Sequence, residues 1–255
     1  MRLIGALFLL TLAACDQQQL PKPEVLRIAV AANFAPTLKA LVAGYNADRD
    51  SPVDVQVMVG STGLLTAQLL SGAPYDMLFA ADAQRPAALE EAGKTLGPPQ
   101  TYAYGRLVLW GPDHQYKDAR KRLLEGEFKH LAIGNPELAP YGAATRQVLQ
   151  QLGLWSSIQN KLVRGENVGQ AYRYVITERV DLGFVALSQV IDQTRVAAEE
   201  ALWVVPANLH DSIEQQVVVL AGDQSEMATA FLEFCLSEAG RLIIQQAGYD
   251  LPLID

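Results

Sequence analysis

Four short segments of the sequence place small or polar residues where a strand gives way to a helix. Ala31-Ala32-Asn33-Phe34 closes an alternating run that begins at Leu26, and asparagine is a preferred helix N-cap. Gly60-Ser61-Thr62-Gly63 closes a second alternating run, Val53 to Val59, and holds two hydroxyls between glycines. Asn135-Pro136-Glu137-Leu138-Ala139-Pro140-Tyr141-Gly142 leads into a helix predicted to begin at Ala143. Glu166-Asn167-Val168-Gly169-Gln170 sets Gln170 three residues after Asn167, the spacing of a capping box. Every helix start exposes backbone N–H groups with no acceptor in the helix and about half a positive charge. In open α/β sheets, ligands sit beyond the carboxyl ends of the strands, where such turns lie. Together the four turns would form an anion site built from neutral donors. Each turn taken alone also reads as a cap that only satisfies its own helix. Spacing does not decide between the two.

Other chemistry finds no support. There is no G-x-G-x-x-G and no G-x-x-x-x-G-K-[ST], so nucleotide binding has no motif. Gly60-Ser61-Thr62-Gly63 has the wrong spacing for the G-x-S-x-G turn of a serine hydrolase. His114, His130 and His210 are isolated and lack the i, i+4 pairing of a zinc helix. His130 opens an apolar strand and His210 sits in a loop, so both read as structural. The carboxylates are numerous but fall on helix faces and caps, and nothing marks a general acid–base pair.

The elements that must position the four turns alternate along the chain. Strands are predicted at Leu26–Ala31, Val53–Val59, Asp76–Ala80, Tyr102–Trp110, His130–Ile133, Asp181–Ala186, Trp203–Val205 and Gln216–Leu220. Helices are predicted from Phe34 to Tyr45, Leu64 to Leu70, Pro86 to Glu91, Ala144 to Leu152 and Val168 to Thr177. Two more finish the chain, at Met227–Leu236 and Ala239–Gln246. This alternation means an α/β fold with mixed, mostly parallel sheets. With 255 residues, 50% of them hydrophobic and 19% charged, the chain has ample core for one large domain or two lobes. A formal net charge of −8 argues against nucleic acid as a partner.

The N-terminus reads as a targeting segment. Residues 1–14 carry Arg2 and then an apolar run ending in small residues, too short to span a bilayer. Leu12-Ala13-Ala14-Cys15 resembles the lipobox of bacterial lipoproteins, whose cysteine takes a lipid anchor. Asp16 after it resembles an inner-membrane retention signal of enteric bacteria. Residues 15–23 are polar and Pro-rich and read as a tether. The second cysteine, Cys235, falls with Met227, Ala230, Phe231 and Phe234 on one predicted helix face, the setting of a buried core residue.

In order and wording these segments resemble the molybdate-binding component of ATP-driven bacterial importers, a type II periplasmic binding protein. The likeness rests on Ala-Ala-Asn-Phe (31–34), Gly-Ser-Thr-Gly-Leu-Leu (60–65), Gly-Ala-Pro-Tyr-Asp (72–76) and Tyr-Gly-Arg-Leu-Val-Leu-Trp (104–110). It continues through Asn-Pro-Glu-Leu-Ala-Pro-Tyr-Gly (135–142), Gly-Glu-Asn-Val (165–168) and Gly-Phe-Val-Ala-Leu-Ser (183–188). The resemblance implies two α/β lobes, 24–104 with 207–255 and 105–206, and a ligand cleft between them. It implies that the oxyanion is held by Asn33 with backbone from Ala32, and by a hydroxyl from Ser61 or, second, Thr62. It adds the backbone N–H of Tyr141, with or without its hydroxyl, and that of Val168. The molybdenum would be reached only through its oxygens, with no side chain ligating the metal and no cofactor. Many members carry a binding tyrosine in the segment matching 183–186, where this chain has Ala186. A branch of the family instead has tyrosine between the proline and glycine, as at Tyr141. The implied ligand is molybdate or tungstate, the implied partners are the importer's membrane permease subunits, and the implied state is a periplasmic monomer anchored through Cys15. Other readings stay open: a receptor for sulfate or another oxyanion, an enzyme on a small anionic substrate, or an anion-sensing lipoprotein outside transport.

Overall fold

The computed structural model describes residues 25–111, 118–194 and 202–253. The predicted leader, Cys15, the tether and His114 lie outside those residues. The chain opens with β1 (Val25–Ala31), α1 (Ala35–Asn46), β2 (Asp54–Gly60), α2 (Thr62–Leu70), β3 (Met77–Phe79), α3 (Gln84–Glu91) and β4 (Gln100–Gly105). It continues with β5 (Leu107–Trp110), α4 (Ala119–Glu125), β6 (Leu131–Gly134), α5 (Pro140–Gln151) and β7 (Leu162–Gly165). Next come α6 (Val168–Ile176), β8 (Leu182–Ala186), α7 (Leu187–Thr194) and β9 (Leu202–Val204). It ends with β10 (Ile213–Val219), α8 (Ser225–Leu236) and α9 (Glu238–Gln246).

Two five-stranded sheets result, ordered β2-β1-β3-β10-β4 and β7-β6-β8-β5-β9. Both are mixed. The parallel pairings surround β1 and β6, and the antiparallel ones involve β10 and β5, the strands next to the connections between the sheets. Each central strand is buried on both faces, as helix-covered parallel strands must be. On β1, Leu26, Ile28 and Val30 meet Phe34, Leu38 and Leu41, while Ala29 faces Leu65, Leu69 and Leu78. In the second sheet, Leu109, Ile133 and Phe184 pack on Val148 and Leu149 of α5. Val108, Ala132 and Val185 pack on Ala171 and Val175 of α6. Cys235 is fully buried, and burial pushes its thiol pKa up.

Several sequence expectations are corrected. The single strand expected over Tyr102–Trp110 is broken at Arg106 into β4 and β5, which belong to different sheets. The break is tertiary: a Cβ at Gly105 would overlap the Tyr141 hydroxyl and crowd the Gln215 amide. The helix expected from Ala143 begins at Pro140, whose ring suits a first helical position. Asn33 is not a cap; α1 is preceded by Phe34 and has no side-chain cap. The last strand starts at Ile213, before a bulge at Gln215/Gln216. The buried face of α8 runs through Ala228, Phe231, Leu232 and Cys235, with Ala230 exposed. The elements α4, β7 and α7 were not expected; all are short.

Phe34 is fully buried, with ring centroids 5.4 Å from Phe79, 4.5 Å from Tyr102 and 5.4 Å from Tyr249. This cluster fixes the turn that carries Asn33. Phe34→Ala is expected to cost about 3–5 kcal/mol, read as a lower urea midpoint at unchanged slope; an unshifted midpoint would refute it.

A second test concerns Asp181. Burial acts to raise its carboxyl pKa, but the backbone N–H groups of His130 and Lys129, each 2.9 Å from Oδ2, and the Arg122 charge outweigh it and hold the pKa below the usual range. A depressed folded-state pKa adds stability above the unfolded value and loses it as pH falls through the folded one. Asp181→Asn should therefore unfold more easily than the native chain at pH 6, with the gap narrowing by pH 3. A gap that is the same at both values would contradict this.

Candidate functional site

In each sheet the order of strands reverses around one central strand. In the first, β1 leads through α1 to β2 on one side, and β2 leads through α2 to β3 on the other. In the second, β6 has β7 on one side and β8 on the other. Such reversals open a crevice at the carboxyl ends of the strands. The two crevices face each other across a small void. All six residues expected at the site, Ala32, Asn33, Ser61, Thr62, Tyr141 and Val168, line it, and no lining side chain carries a charge. Ala186, at the end of β8, does not line it. Ala31, Gly60, Ala139, Pro140 and Asn167, from the same four turns, also line it, and Ala81 at the end of β3 is the lining residue that lies outside them.

The local chemistry of each turn decides what it can offer. Ser61 caps α2, its Oγ accepting from the Leu64 N–H at 3.4 Å. That bond uses a lone pair and leaves the hydroxyl hydrogen for another acceptor. Thr62 Oγ1 accepts from the Ala81 N–H at 3.0 Å and so ties α2 to the end of β3. The first i→i−4 bond of α5 is Ala143 N–H to Ala139 O, at 3.0 Å. Tyr141 N–H therefore has no acceptor in its own helix. Gly142 lets this turn press on the end of β6, since a Cβ there would overlap the Gly134 carbonyl. Asn167 caps α6, accepting from Gln170 N–H at 3.0 Å, and leaves Val168 at the first helical position. The Gln170 side chain returns to the N–H of Glu166, at 2.8 Å, one residue before the expected capping-box partner. Ala32, expected to give its backbone, supplies wall only: its N–H already donates to the Gly60 carbonyl at 3.0 Å.

Behind the void lies a buried polar network that sequence reasoning missed. Asn33 Nδ2 donates to Gln215 Oε1 at 2.7 Å and to the Tyr249 hydroxyl at 3.1 Å. Gln215 Oε1 also accepts from the Tyr102 hydroxyl at 3.0 Å, and Gln215 Nε2 donates to the Tyr141 hydroxyl at 3.3 Å. The Tyr249 hydroxyl lies 2.9 Å from both the Asn33 carbonyl and Ser188 Oγ. Burial, with neighbouring tyrosines, pushes the Tyr102 and Tyr141 hydroxyls well above their ordinary pKa. Burial takes Tyr249 up to about 12. All three keep their protons at neutral pH, so the network is uncharged. The Tyr141 hydroxyl is engaged here, leaving the backbone as the clear donor of that residue.

Direct bonds also join the lobes at the rim. Gly63 N–H donates to the Leu138 carbonyl at 3.0 Å. The Arg85 guanidinium, paired with Asp82, reaches the Glu137 carbonyl at 3.0 Å. His130 and His210 do not line the void; His130 is exposed, with its N–H on Asp181, and His210 is half-buried, with Nδ1 against the Asp211 carbonyl.

Comparison with known proteins bears on the fold and the family. Residues 26–250 match the family of bacterial extracellular solute-binding proteins, which are binding proteins rather than enzymes. The molybdate-binding protein ModA of Azotobacter vinelandii is 38% identical over 88% of this chain and 89% of its own. That of Rhodobacter capsulatus is 37% identical over 87% of this chain and 86% of its own. The solved structure of the Azotobacter vinelandii periplasmic molybdate-binding protein superposes with a TM-score of 0.84 at 36% identity, covering 89% of this chain and 100% of that one. By fold and by these matches, the chain belongs to the bacterial extracellular solute-binding proteins, among the molybdate-binding proteins of periplasmic type.

Proposed function

We propose that the chain binds molybdate, and tungstate with it, in the void between the lobes and delivers it to the permease subunits of an ABC importer. The observation that supports this most is the convergence of uncharged donors from both lobes on one small volume. Ser61 gives a hydroxyl, and Tyr141 and Val168 give first-turn N–H groups; Asn33 lines the same volume, with both amide hydrogens engaged behind it on Gln215 and Tyr249. Burying an ion costs on the order of 20 kcal/mol in the idealised limit, less after relaxation. Hydrogen bonds to a charged group return about 1.5–3 kcal/mol each. About six of them, aided by helix-start dipoles, leave the roughly 8–12 kcal/mol of a micromolar-to-nanomolar binder. No lysine or arginine is needed.

The lobes, taken as residues 24–104 with 207–255 and 105–206, would hinge at Gly105–Arg106 and at the stretch before Ile213. Closure follows because one anion contacts both lobes, and a ligand shifts an equilibrium only by differential affinity. Cys15 would carry the lipid that holds a monomer at the periplasmic side of the inner membrane. A sulfate receptor of the same fold is the competing reading.

Calorimetry with molybdate, tungstate, sulfate and phosphate tests this. Strong heats are expected with the first two; none with either would defeat the proposal. Ser61→Ala should weaken molybdate by about 1.5–3 kcal/mol, roughly 10- to 150-fold in Kd. Tyr141→Phe keeps the backbone donor and should lose less than ~10-fold. A larger loss would place the hydroxyl on the anion. Small-angle scattering should show compaction at saturating molybdate, and an unchanged radius of gyration would rule out hinge closure.

A further inference from the structure

Asn33 Oδ1 is the one buried side-chain nitrogen or oxygen among the described residues that has no hydrogen-bond partner. Asn33 is 1% exposed and lines the void. Both hydrogens of its amide are spent behind the void, on Gln215 Oε1 and the Tyr249 hydroxyl. An amide so committed can offer only its oxygen to a ligand. For a fully deprotonated oxyanion that is the wrong polarity, and a buried oxygen without a donor is itself unfavourable.

The same partners also fit the opposite arrangement. A half-turn about the last side-chain bond exchanges amide oxygen and nitrogen with almost no change of shape. If Asn33 and Gln215 turn together, Asn33 Oδ1 accepts from Gln215 Nε2 and from the Tyr249 hydroxyl. Gln215 Nε2 gives its second hydrogen to the Tyr102 hydroxyl, whose own proton goes to the Ala80 carbonyl, 3.2 Å away. Gln215 Oε1 accepts from the Tyr141 hydroxyl, and Ser188 Oγ, 3.2 Å away, serves the Asn33 carbonyl. Every other group keeps a partner, and the Asn33 NH2 takes the unpartnered position its oxygen held, free to donate to a ligand in the void.

We propose that Gln215, which does not line the void, is the positioning residue that sets the polarity Asn33 shows the ligand, turning in concert with it when an oxyanion binds. At rest the site holds one acceptor; with the anion bound it holds donors only. The Tyr141 hydroxyl, from the other lobe, changes from acceptor to donor in the same event. This inference rests on the reading of the void as an oxyanion site.

The test uses the 15N-labelled chain with molybdate as probe. Asn33→Ser and Gln215→Met identify the two side-chain NH2 resonance pairs by their disappearance. Saturating molybdate is expected to shift both pairs together, far more than other side-chain amides, and to slow solvent exchange of one Asn33 proton. Movement of the Asn33 pair alone, or of neither, overturns the proposal. Gln215→Met, checked for an intact cooperative melt, should weaken molybdate ~10-fold or more, equivalent to about 1.4 kcal/mol. An unchanged Kd in the folded variant also overturns it. Should Gln215→Met not fold, the Gln215 pair is assigned by through-bond NMR, and the paired shift in the native chain still decides. A native chain giving no heat with molybdate, tungstate or sulfate defeats the oxyanion reading itself, an outcome that calorimetry separates from the rest.

Discussion

An N–H group in the first turn of a helix has no acceptor in that helix, and this fold collects such groups between two lobes. The arrangement depends on where the sheets reverse their strand order. At β1 and at β6 the chain leaves on both sides of one strand, so the helices that follow start next to each other rather than in a row. Tyr141 and Val168 are brought together in this way, as are Asn33 and Ser61. The close seating of α5 on β6 depends on Gly142, and the capping of α6 depends on Asn167. Remove either and the donors lose their common focus, although each helix could still form.

The second constraint lies at the junction of the sheets. Gly105 ends β4, and the space a side chain would need is filled by the Tyr141 hydroxyl and the Gln215 amide. The residue that closes one wall of the void is thus held from behind by the strand that returns to the first sheet. Phe34, locked among Phe79, Tyr102 and Tyr249, does the same for Asn33. The site and the junction of the sheets share residues, since Tyr141 both lines the void and packs on Gly105.

Much of this was legible in the sequence. Period-two runs ending in Gly60 and Ala31 located the strands and the turns after them, and Ser61 and Asn167 are caps by residue type alone. What was not legible is tertiary. Asn33 has the residue type of a cap, yet its amide points into a network whose other members lie at least 69 positions away, so local preference misassigned it. Gln215 and Gln216 are adjacent and identical, and only the bulge between them makes the first fully buried and the second half-exposed. The Ala32 N–H is consumed by the neighbouring strand end at Gly60, which no inspection of residues 31–34 reveals. Pro140 does carry a local signal, a proline suited to open a helix, and Ala143 was a misreading of it.

An acidic chain with an anionic ligand presents less of a conflict than its net charge of −8 suggests. Exposed charges are screened over ~8 Å at physiological ionic strength, whereas the void is walled by neutral groups. Among its lining residues the only titratable side chain is Tyr141, which burial keeps protonated well beyond neutral pH. Tyr102 and Tyr249 behind it are held protonated in the same way. Lysine or arginine in the void would add attraction but also a desolvation cost in the empty state, which uncharged N–H and O–H donors avoid. A site made of uncharged groups keeps the same charge whether empty or full, so the anion's own protonation state becomes the variable that its donors and the single Asn33 oxygen can read.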